Sequence, residues 1–101
     1  MIVFEKLSPL FPIQTCLKKR GNGEFLIVMS KNTDIFYLNE VAHFIYENCD
    51  GTQTIGDIRQ KILSEYKGVT ESTATEDLVN VIRDFQWQDI IELRRRKNER
   101  V

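Results

Sequence analysis

Two cysteines and one histidine are the residues of this chain whose side chains could act as a nucleophile, a base or a soft metal ligand. Cys16 and Cys49 lie far apart, and neither has a second cysteine or a histidine close by in the sequence. A structural zinc site needs four such ligands, usually in closely spaced pairs. His43 lies in a predicted helix, and its spacing reveals no serine, cysteine or carboxylate partner. We therefore expect buried or half-buried thiols, a surface or boundary histidine, and no metal or cofactor.

Glycines that could cradle a phosphate occur only as Gly21-Asn22-Gly23. This segment lacks the helix and the lysine that follow a phosphate-binding loop, so it is better explained as a turn. With no nucleophile beside a base and no metal set, the chain offers no catalytic constellation. We expect a protein that is not an enzyme and that works through its surfaces.

Length and composition predict one compact domain. The chain has 101 residues, of which 42% are hydrophobic, enough for a core. No apolar run approaches the roughly 18–20 residues that span a bilayer. The apolar start ends at Glu5-Lys6 without a small-residue cleavage site, unlike a signal peptide. We expect a cytoplasmic protein that does not associate with membranes.

The net charge of −1 conceals an uneven distribution. Residues 1–93 carry nine basic and 14 acidic residues, a formal charge of −5, whereas residues 94–101 carry five basic residues and one acid. The body is therefore acidic and only the tail is basic, which opposes nucleic-acid binding by the body.

The segment from Asp34 to Gly51 predicts a strand, Ile35–Leu38, that runs directly into a helix. Two earlier strands are predicted over residues 12–19 and 24–30, because the first alternates in polarity and the second is apolar on both faces. Turns at residues 20–23 and 31–34 connect them, which implies an antiparallel meander. Its third strand is an edge unless a C-terminal strand over residues 90–93 covers it.

Helix signals follow in the second half of the chain. Asn39 is a predicted N-cap, and Asp50-Gly51 ends that helix. Capping boxes at residues 54–57 and 73–76 predict two more helices, the second ending at Lys67-Gly68 and the third at about Trp87. We predict an α+β, winged-helix-like domain with a three-stranded antiparallel sheet followed by a three-helix bundle. Residues 1–11 are expected to be a loosely ordered lead-in, residues 12–93 the domain, and residues 94–101 a disordered basic tail.

An ordered set of short motifs resembles the PqqD-like family, the pyrroloquinoline quinone synthesis protein D-like precursor-peptide recognition elements. The motifs are Leu38-Asn39, the aromatic-Glu pair Tyr46-Glu47, Asp50-Gly51 and Thr54-Ile55, followed by Glu76-Asp77-Leu78. The resemblance covers about residues 12–93. The chain has Gln88-Asp89 where the family often has a glycine, and Tyr46 where it often has a tryptophan.

The resemblance implies a non-catalytic peptide-binding chaperone. In the family, the leader of a ribosomally synthesised precursor peptide adds as a strand beside the third strand, in a groove next to the third helix. The complex is passed to a maturation enzyme, often a radical S-adenosylmethionine enzyme, and otherwise a leader peptidase or cyclase. The implied pathway is pyrroloquinoline quinone or related natural product biosynthesis.

The physical basis of such binding is an exposed strand edge, which is a template for another chain. We expect one flank of the third helix, which carries Asp77, Val81 and Asp84, to line the groove. The opposite flank, which carries Val79, Arg83 and Gln86, is expected to face away from it. The predicted peptide-binding residues lie on the strand, on the favoured flank and at the end of the helix stripe: Asp34, Ile35, Phe36, Tyr37, Leu38, Asp77, Val81, Asp84 and Phe85. Gln88 continues the favoured flank.

Two alternatives remain at this point: a winged-helix nucleic-acid-binding protein and a generic protein-interaction domain. The helix over residues 72–88 carries Glu76, Asp77 and Asp84 against Arg83 alone, which disfavours a DNA-recognition helix. The generic domain would use the same groove, so sequence does not separate it from the leader-binding hypothesis. The chain is expected to be a monomer or a strand-exchanged dimer.

Overall fold

The computed structural model describes residues 2–22 and 25–97. Its elements in chain order are α1 (Ile2–Leu7), β1 (Phe11–Gln14), β2 (Lys18–Asn22), β3 (Phe25–Met29), β4 (Ile35–Leu38), α2 (Glu40–Glu47), α3 (Ile55–Glu65), α4 (Glu71–Trp87) and β5 (Ile91–Arg94). The predicted α+β class is confirmed, as is the three-stranded antiparallel sheet with helices after it. Winged-helix likeness stays a prediction.

The larger sheet has the strand order β2-β3-β4, with both pairings antiparallel. Leu26 and Val28 of β3 and Leu38 of β4 are buried beneath the helices. Residues alternate between the faces of a strand, so Ile27 and Ile35 lie on the opposite, outer face. Within the described residues, β4 is an edge strand of this sheet.

The strand predicted over residues 12–19 is two strands, so that prediction is wrong. β1 pairs with β5, whereas β2 pairs with β3. The break has a tertiary cause: the Gln14 N–H donates to the Cys49 carbonyl (2.9 Å), and the Thr15 N–H donates to the Ile90 carbonyl (3.0 Å). The predicted closing strand exists as β5, but it covers β1 and leaves the edge at β4 open.

Two predicted helix starts are confirmed. The Asn39 side chain accepts a hydrogen bond from the Ala42 N–H (2.9 Å). Thr54 and Asp57 form a complete capping box at the start of α3. These side chains satisfy backbone N–H groups that have no partner within the first helical turn.

The start predicted for α4 is wrong. The N-cap is Thr70, whose hydroxyl accepts a hydrogen bond from the Thr73 N–H (3.1 Å). Thr73 thus lies inside the helix. The predicted end at Trp87 is correct, and Asp89 turns the chain into β5 through a positive φ of 56°.

The N-terminal segment is not loosely ordered, because Ile2–Leu7 form a helix. Four helices therefore lie in the described part of the chain, where a three-helix bundle was predicted. Phe4 of α1 is buried, and the guanidinium of Arg59 lies 4.2 Å from the centre of its ring. The segment after α1 lies against α3 at Gly56, where a Cβ would be 2.6 Å from the Ser8 Oγ. A larger residue there would have to displace the Ser8 hydroxyl, so glycine suits this close approach.

The remaining sequence boundaries are only partly covered by the structure. β2 runs through three residues of the turn predicted at 20–23, and Gly23 lies outside the described residues, as does Glu24 of the predicted second strand. Arg94, the first residue of the predicted tail, belongs to β5 and is opposite Phe11. Residues 98–101 of that tail lie outside the described part.

The core lies between the sheet and the helices, and Tyr46 is at its centre. This side chain is fully buried, and its hydroxyl donates to the Ile90 carbonyl (2.8 Å). Its ring meets that of Phe85 edge-on, with centroids 5.2 Å apart. Tyr46 therefore fixes the end of α4 and the start of β5 against α2.

Candidate functional site

A groove with a volume of about 410 Å³ runs between β4 and α4. β4 forms one side, the first turn of α2 closes one end, and α4 forms the wall. The lining residues are Tyr37, Leu38, Asn39, Val41, Ala42, Asp77, Asn80, Val81, Asp84, Phe85 and Gln88.

The backbone of β4 presents hydrogen-bonding groups on its open side. The Ser30 N–H donates to the Asp34 carbonyl (2.8 Å), which sets the phase of the ladder between β3 and β4. Hydrogen-bonded pairs recur at every second residue of an antiparallel ladder. Phe36 and Leu38 therefore bond to β3, and Ile35 directs its N–H and carbonyl away from β3. An extended chain alongside β4 could use these groups.

The α4 wall is acidic with an apolar centre. Asp77 and Asp84 are two helical turns apart and both are exposed, and half-buried Val81 lies between them. Residues at such spacing share one helix face. The favoured flank from the sequence is thus the one that lines this groove.

Gln88, the residue after the last turn of α4, has an unusual position in the groove. Its side-chain Oε1 is buried and has no hydrogen-bond partner among the described residues. A buried acceptor without a partner loses the solvation that water gave it, at a cost of about 1–3 kcal/mol. A donor from a bound molecule would remove that cost.

Six of the nine predicted site residues line this one groove: Tyr37, Leu38, Asp77, Val81, Asp84 and Phe85. Asp34, Ile35 and Phe36 do not. Asp34 is exposed at the start of β4, Phe36 packs against the core, and the Ile35 side chain lies on the outer face of the sheet. Of these three, Ile35 contributes to the edge through its backbone.

Sequence reasoning missed the part of the lining that α2 supplies. Helical spacing places Val41 and Ala42 on one face of α2 with the buried Ile45 and Cys49, but Val41 is exposed and both residues line the groove. The signal was available in Leu38-Asn39: a strand that enters a helix without a loop places the first helical turn at the end of the strand edge.

Trp87 is the most exposed large apolar side chain of the described chain, at 91%. It lies next to Gln88, off the buried stripe of α4. Helical spacing also places Trp87 off the apolar stripe of the helix, in agreement with this exposure.

The cysteine and tyrosine side chains that could act as nucleophiles have structural roles. Both cysteines are free, Cys49 buried and Cys16 half-buried, as predicted. Burial raises the pKa of the Cys49 thiol, and the nearby carboxylates of Asp50 and Glu47 add to the shift. Burial likewise raises the pKa of Tyr46, so neither side chain ionises near neutral pH.

His43 has a partner that the sequence analysis overlooked. Its Nε2 lies 3.8 Å from Glu47 Oε1, one helical turn further along α2. The same carboxylate oxygen is 3.4 Å from Lys19 Nζ. The histidine is half-buried, which confirms the expected boundary position.

A larger hollow, about 930 Å³, lies between α1, α3 and α4 on another side of the molecule. Its one guanidinium, Arg59, is already engaged by Thr75 (3.1 Å) and Glu71 (3.5 Å). Two further carboxylates, Glu5 and Glu76, line it. The hollow adjoins no strand edge, and Arg59 joins α3 to α4 there while its guanidinium lies over the Phe4 ring of α1.

Residues 2–22 and 25–97 contain no cluster of three or more histidine, cysteine or acidic side chains able to hold a metal ion. None of the helices in this part of the chain has the length and apolar character needed to cross a bilayer. The groove beside β4 therefore remains the site that the geometry supports best.

The family of coenzyme PQQ synthesis protein D matches residues 24–91, more than half of the chain. The matched segment includes β3, β4 and all three helices that follow them, so it contains both sides of the groove. No curated protein and no solved structure matches the chain. The length of the family match, over the elements that form the groove, shows that this chain belongs to the coenzyme PQQ synthesis protein D (PqqD) family.

Proposed function

We propose that this protein is a cytoplasmic, non-catalytic peptide chaperone for the leader of a ribosomally synthesised precursor peptide. The leader binds as an added strand along β4, and the complex is presented to a modifying enzyme. Membership of a family named for coenzyme PQQ synthesis supports an accessory role in the pathway. The single observation that carries the proposal is the open β4 edge facing an acidic helical wall.

Strand addition gives affinity through the backbone and selectivity through side chains. The outward N–H and carbonyl of Ile35 would exchange hydrogen bonds with the guest. Alternate guest side chains would then point towards α4, since side chains of a strand alternate between its faces. We expect a dissociation constant near 1 μM, which corresponds to about −8 kcal/mol.

The groove favours a guest of particular chemistry. Asp77 and Asp84 would pair with lysine or arginine at alternate positions of the leader, and Val81 and Leu38 would take an apolar side chain between them. The buried Oε1 of Gln88 would accept a hydrogen bond from the end of the guest. A leader with basic and apolar residues therefore fits better than an acidic one.

The modifying enzyme is proposed to be a radical S-adenosylmethionine maturase, or else a leader peptidase or cyclase. The winged-helix-like arrangement serves here as a support for the strand edge. Duplex DNA is not the expected ligand, because the exposed face of α4 at the groove carries Asp77 and Asp84.

The test is isothermal titration of the full chain with synthetic peptides encoded beside its gene. One peptide should bind with a dissociation constant near 1 μM, and its scrambled version should bind at least tenfold more weakly. Amide chemical-shift changes should fall on β4 and on the α4 flank. Binding that leaves β4 unperturbed, or no binding by any neighbouring peptide, would refute the proposal.

Two controls separate the alternatives. Duplex DNA should show no tight, salt-sensitive binding, and such binding would favour the nucleic-acid hypothesis. Sedimentation with and without peptide tests whether a second copy occupies the edge. A dimer that dissociates when the peptide binds would show that strand exchange competes for β4.

A further inference from the structure

The outer face of the larger sheet is apolar at its centre and basic along one side. Ile27 and Met29 of β3 are half-buried there, and the Ile35 side chain of β4 is 56% exposed. On β2, Lys18 is opposite Met29 and Arg20 is opposite Ile27. The two cations therefore share this face with the apolar side chains.

These side chains form a shallow hollow of about 460 Å³. Its lining consists of three consecutive basic residues and three aliphatic or thioether side chains: Lys18, Lys19, Arg20, Ile27, Met29 and Ile35. No acidic residue is among those that line it. A hollow lined by both apolar and basic side chains suits a ligand in which apolar groups lie next to negatively charged groups.

The charge of this hollow is not compensated within the described residues. Lys19 reaches Glu47 (3.4 Å), but Lys18 and Arg20 form no ion pair with any side chain of the described chain. They stand out because residues 1–93 have a formal charge of −5. Two uncompensated cations beside an apolar strip indicate a partner with the opposite charge.

We propose that this outer face binds an acidic amphipathic helix of a partner protein. Aliphatic side chains of the helix would cover Ile27, Met29 and Ile35, and its carboxylates would pair with Lys18 and Arg20. This surface is separate from the groove beside β4 and opposite to it in charge. A helix packs onto the face of a sheet and does not add to its edge, so both surfaces can be occupied together.

Two other occupants fit the charges less well. A second copy paired through this same face would bring its own β2 cations towards those of the first copy, and like charges oppose that contact. An anionic membrane would attract Lys18 and Arg20 but would repel the acidic body around them. A protein helix with localised carboxylates meets neither difficulty.

The test uses a synthetic amphipathic helix of about 18 residues, long enough to be helical in water. It has a leucine stripe flanked by glutamates, and a matched probe has lysines in place of the glutamates. In spectra of the full isotope-labelled chain, the acidic probe should shift the methyl signals of Ile27, Met29 and Ile35. The lysine probe should not shift them.

Charge-reversed variants complete the experiment. Lys18→Glu with Arg20→Glu should weaken binding of the acidic probe at least tenfold, whereas the exposed control Lys67→Glu should change it less than twofold. Leader binding in the β4 groove should be unchanged in both, which shows that the fold is intact. Measuring leader binding in the same variants also separates failure of the partner-helix proposal from failure of the leader-binding proposal.

Four outcomes would overturn the inference. The first is that the acidic probe does not bind even at a concentration of about 1 mM. A dissociation constant of that size corresponds to about −4 kcal/mol. The second is binding that maps to the basic tail or to the groove. The third is dissociation of a dimer by the charge-reversed variant, and the fourth is binding to anionic phospholipid vesicles that the same variant abolishes.

Discussion

The two edges of one three-stranded sheet differ in how open they are to another chain. β4 ends the sheet beside a groove with an apolar floor and an acidic wall. β2 is the other edge strand, and it carries Lys18, Lys19 and Arg20 in succession. Charged side chains, lysine above all, are a common means of preventing edge-to-edge pairing. The proposed strand addition therefore fits the β4 edge and not the β2 edge.

The largest effect should come from proline at the open edge. Ile35→Pro removes an outward N–H and places a ring where the guest backbone would lie. We expect peptide binding to weaken about 50-fold, equivalent to ~2 kcal/mol. Isothermal titration measures this loss, and circular dichroism checks that the fold is retained.

The matched control is a proline on the protected edge. Ile27 and Met29 of β3 bond to β2, since Val28 bonds to β4, and their partners on β2 are Arg20 and Lys18. Lys19 between those partners directs its N–H outward, as Ile35 does on β4. Lys19→Pro should leave the dissociation constant within twofold. An equal loss in both variants would mean that the two edges do not differ in function.

Charge reversal in the wall should have the next largest effect. Asp84→Lys places a cation where the guest is proposed to carry one, and binding should weaken about tenfold, or ~1.4 kcal/mol. The loss should shrink in 0.5 M salt, because exposed charges are then screened. Glu65→Lys, an exposed acid on α3, serves as the control. A salt-independent loss would argue against electrostatic selectivity.

A smaller effect is expected from the buried acceptor at the end of α4. Gln88→Met keeps the length of the side chain and removes Oε1, which has no partner among the described residues. Binding should weaken about fivefold, or ~1 kcal/mol, whereas the melting temperature should stay equal or rise. Lower thermal stability with unchanged binding would show that the amide serves the fold alone.

The smallest effect on peptide affinity should come from removing the protection of β2. Lys19→Thr, with Lys18→Thr and Arg20→Thr, should leave peptide binding unchanged and cause self-association at high protein concentration. Sedimentation velocity measures this. A triple variant that stays monomeric would show that the cations are not what keeps this edge unpaired.

The sequence predicted the parts of the fold that depend on neighbouring residues. Asn39 and the Thr54–Asp57 capping box act within one helical turn, so their types alone identify the helix starts. The groove flank of Asp77, Val81 and Asp84 was also predicted, because helical periodicity places those residues on one face. The cap predicted for α4 at Thr73 was wrong, because the helix begins one turn earlier and Thr70 caps it.

The parts that sequence could not predict depend on distant contacts. Polarity alternates without interruption through Ile13, Thr15 and Leu17, so nothing local marks the end of β1. The break exists because Gln14 and Thr15 donate to carbonyls of Cys49 and Ile90. Similarly, Val41 fits an apolar stripe by spacing but is exposed in the groove, which depends on how α2 packs in the folded domain.

The pairing of β1 with β5 has a consequence for the thermodynamics of peptide capture. It joins residues from opposite ends of the chain, and the Tyr46 hydroxyl ties the same region to α2, so the end of α4 is fixed before any guest arrives. In the proposed leader binding, the groove would thus be preorganised, and the guest would lose conformational entropy as it becomes extended. Leaders already stiffened in an extended form should therefore associate more tightly than flexible ones of equal composition.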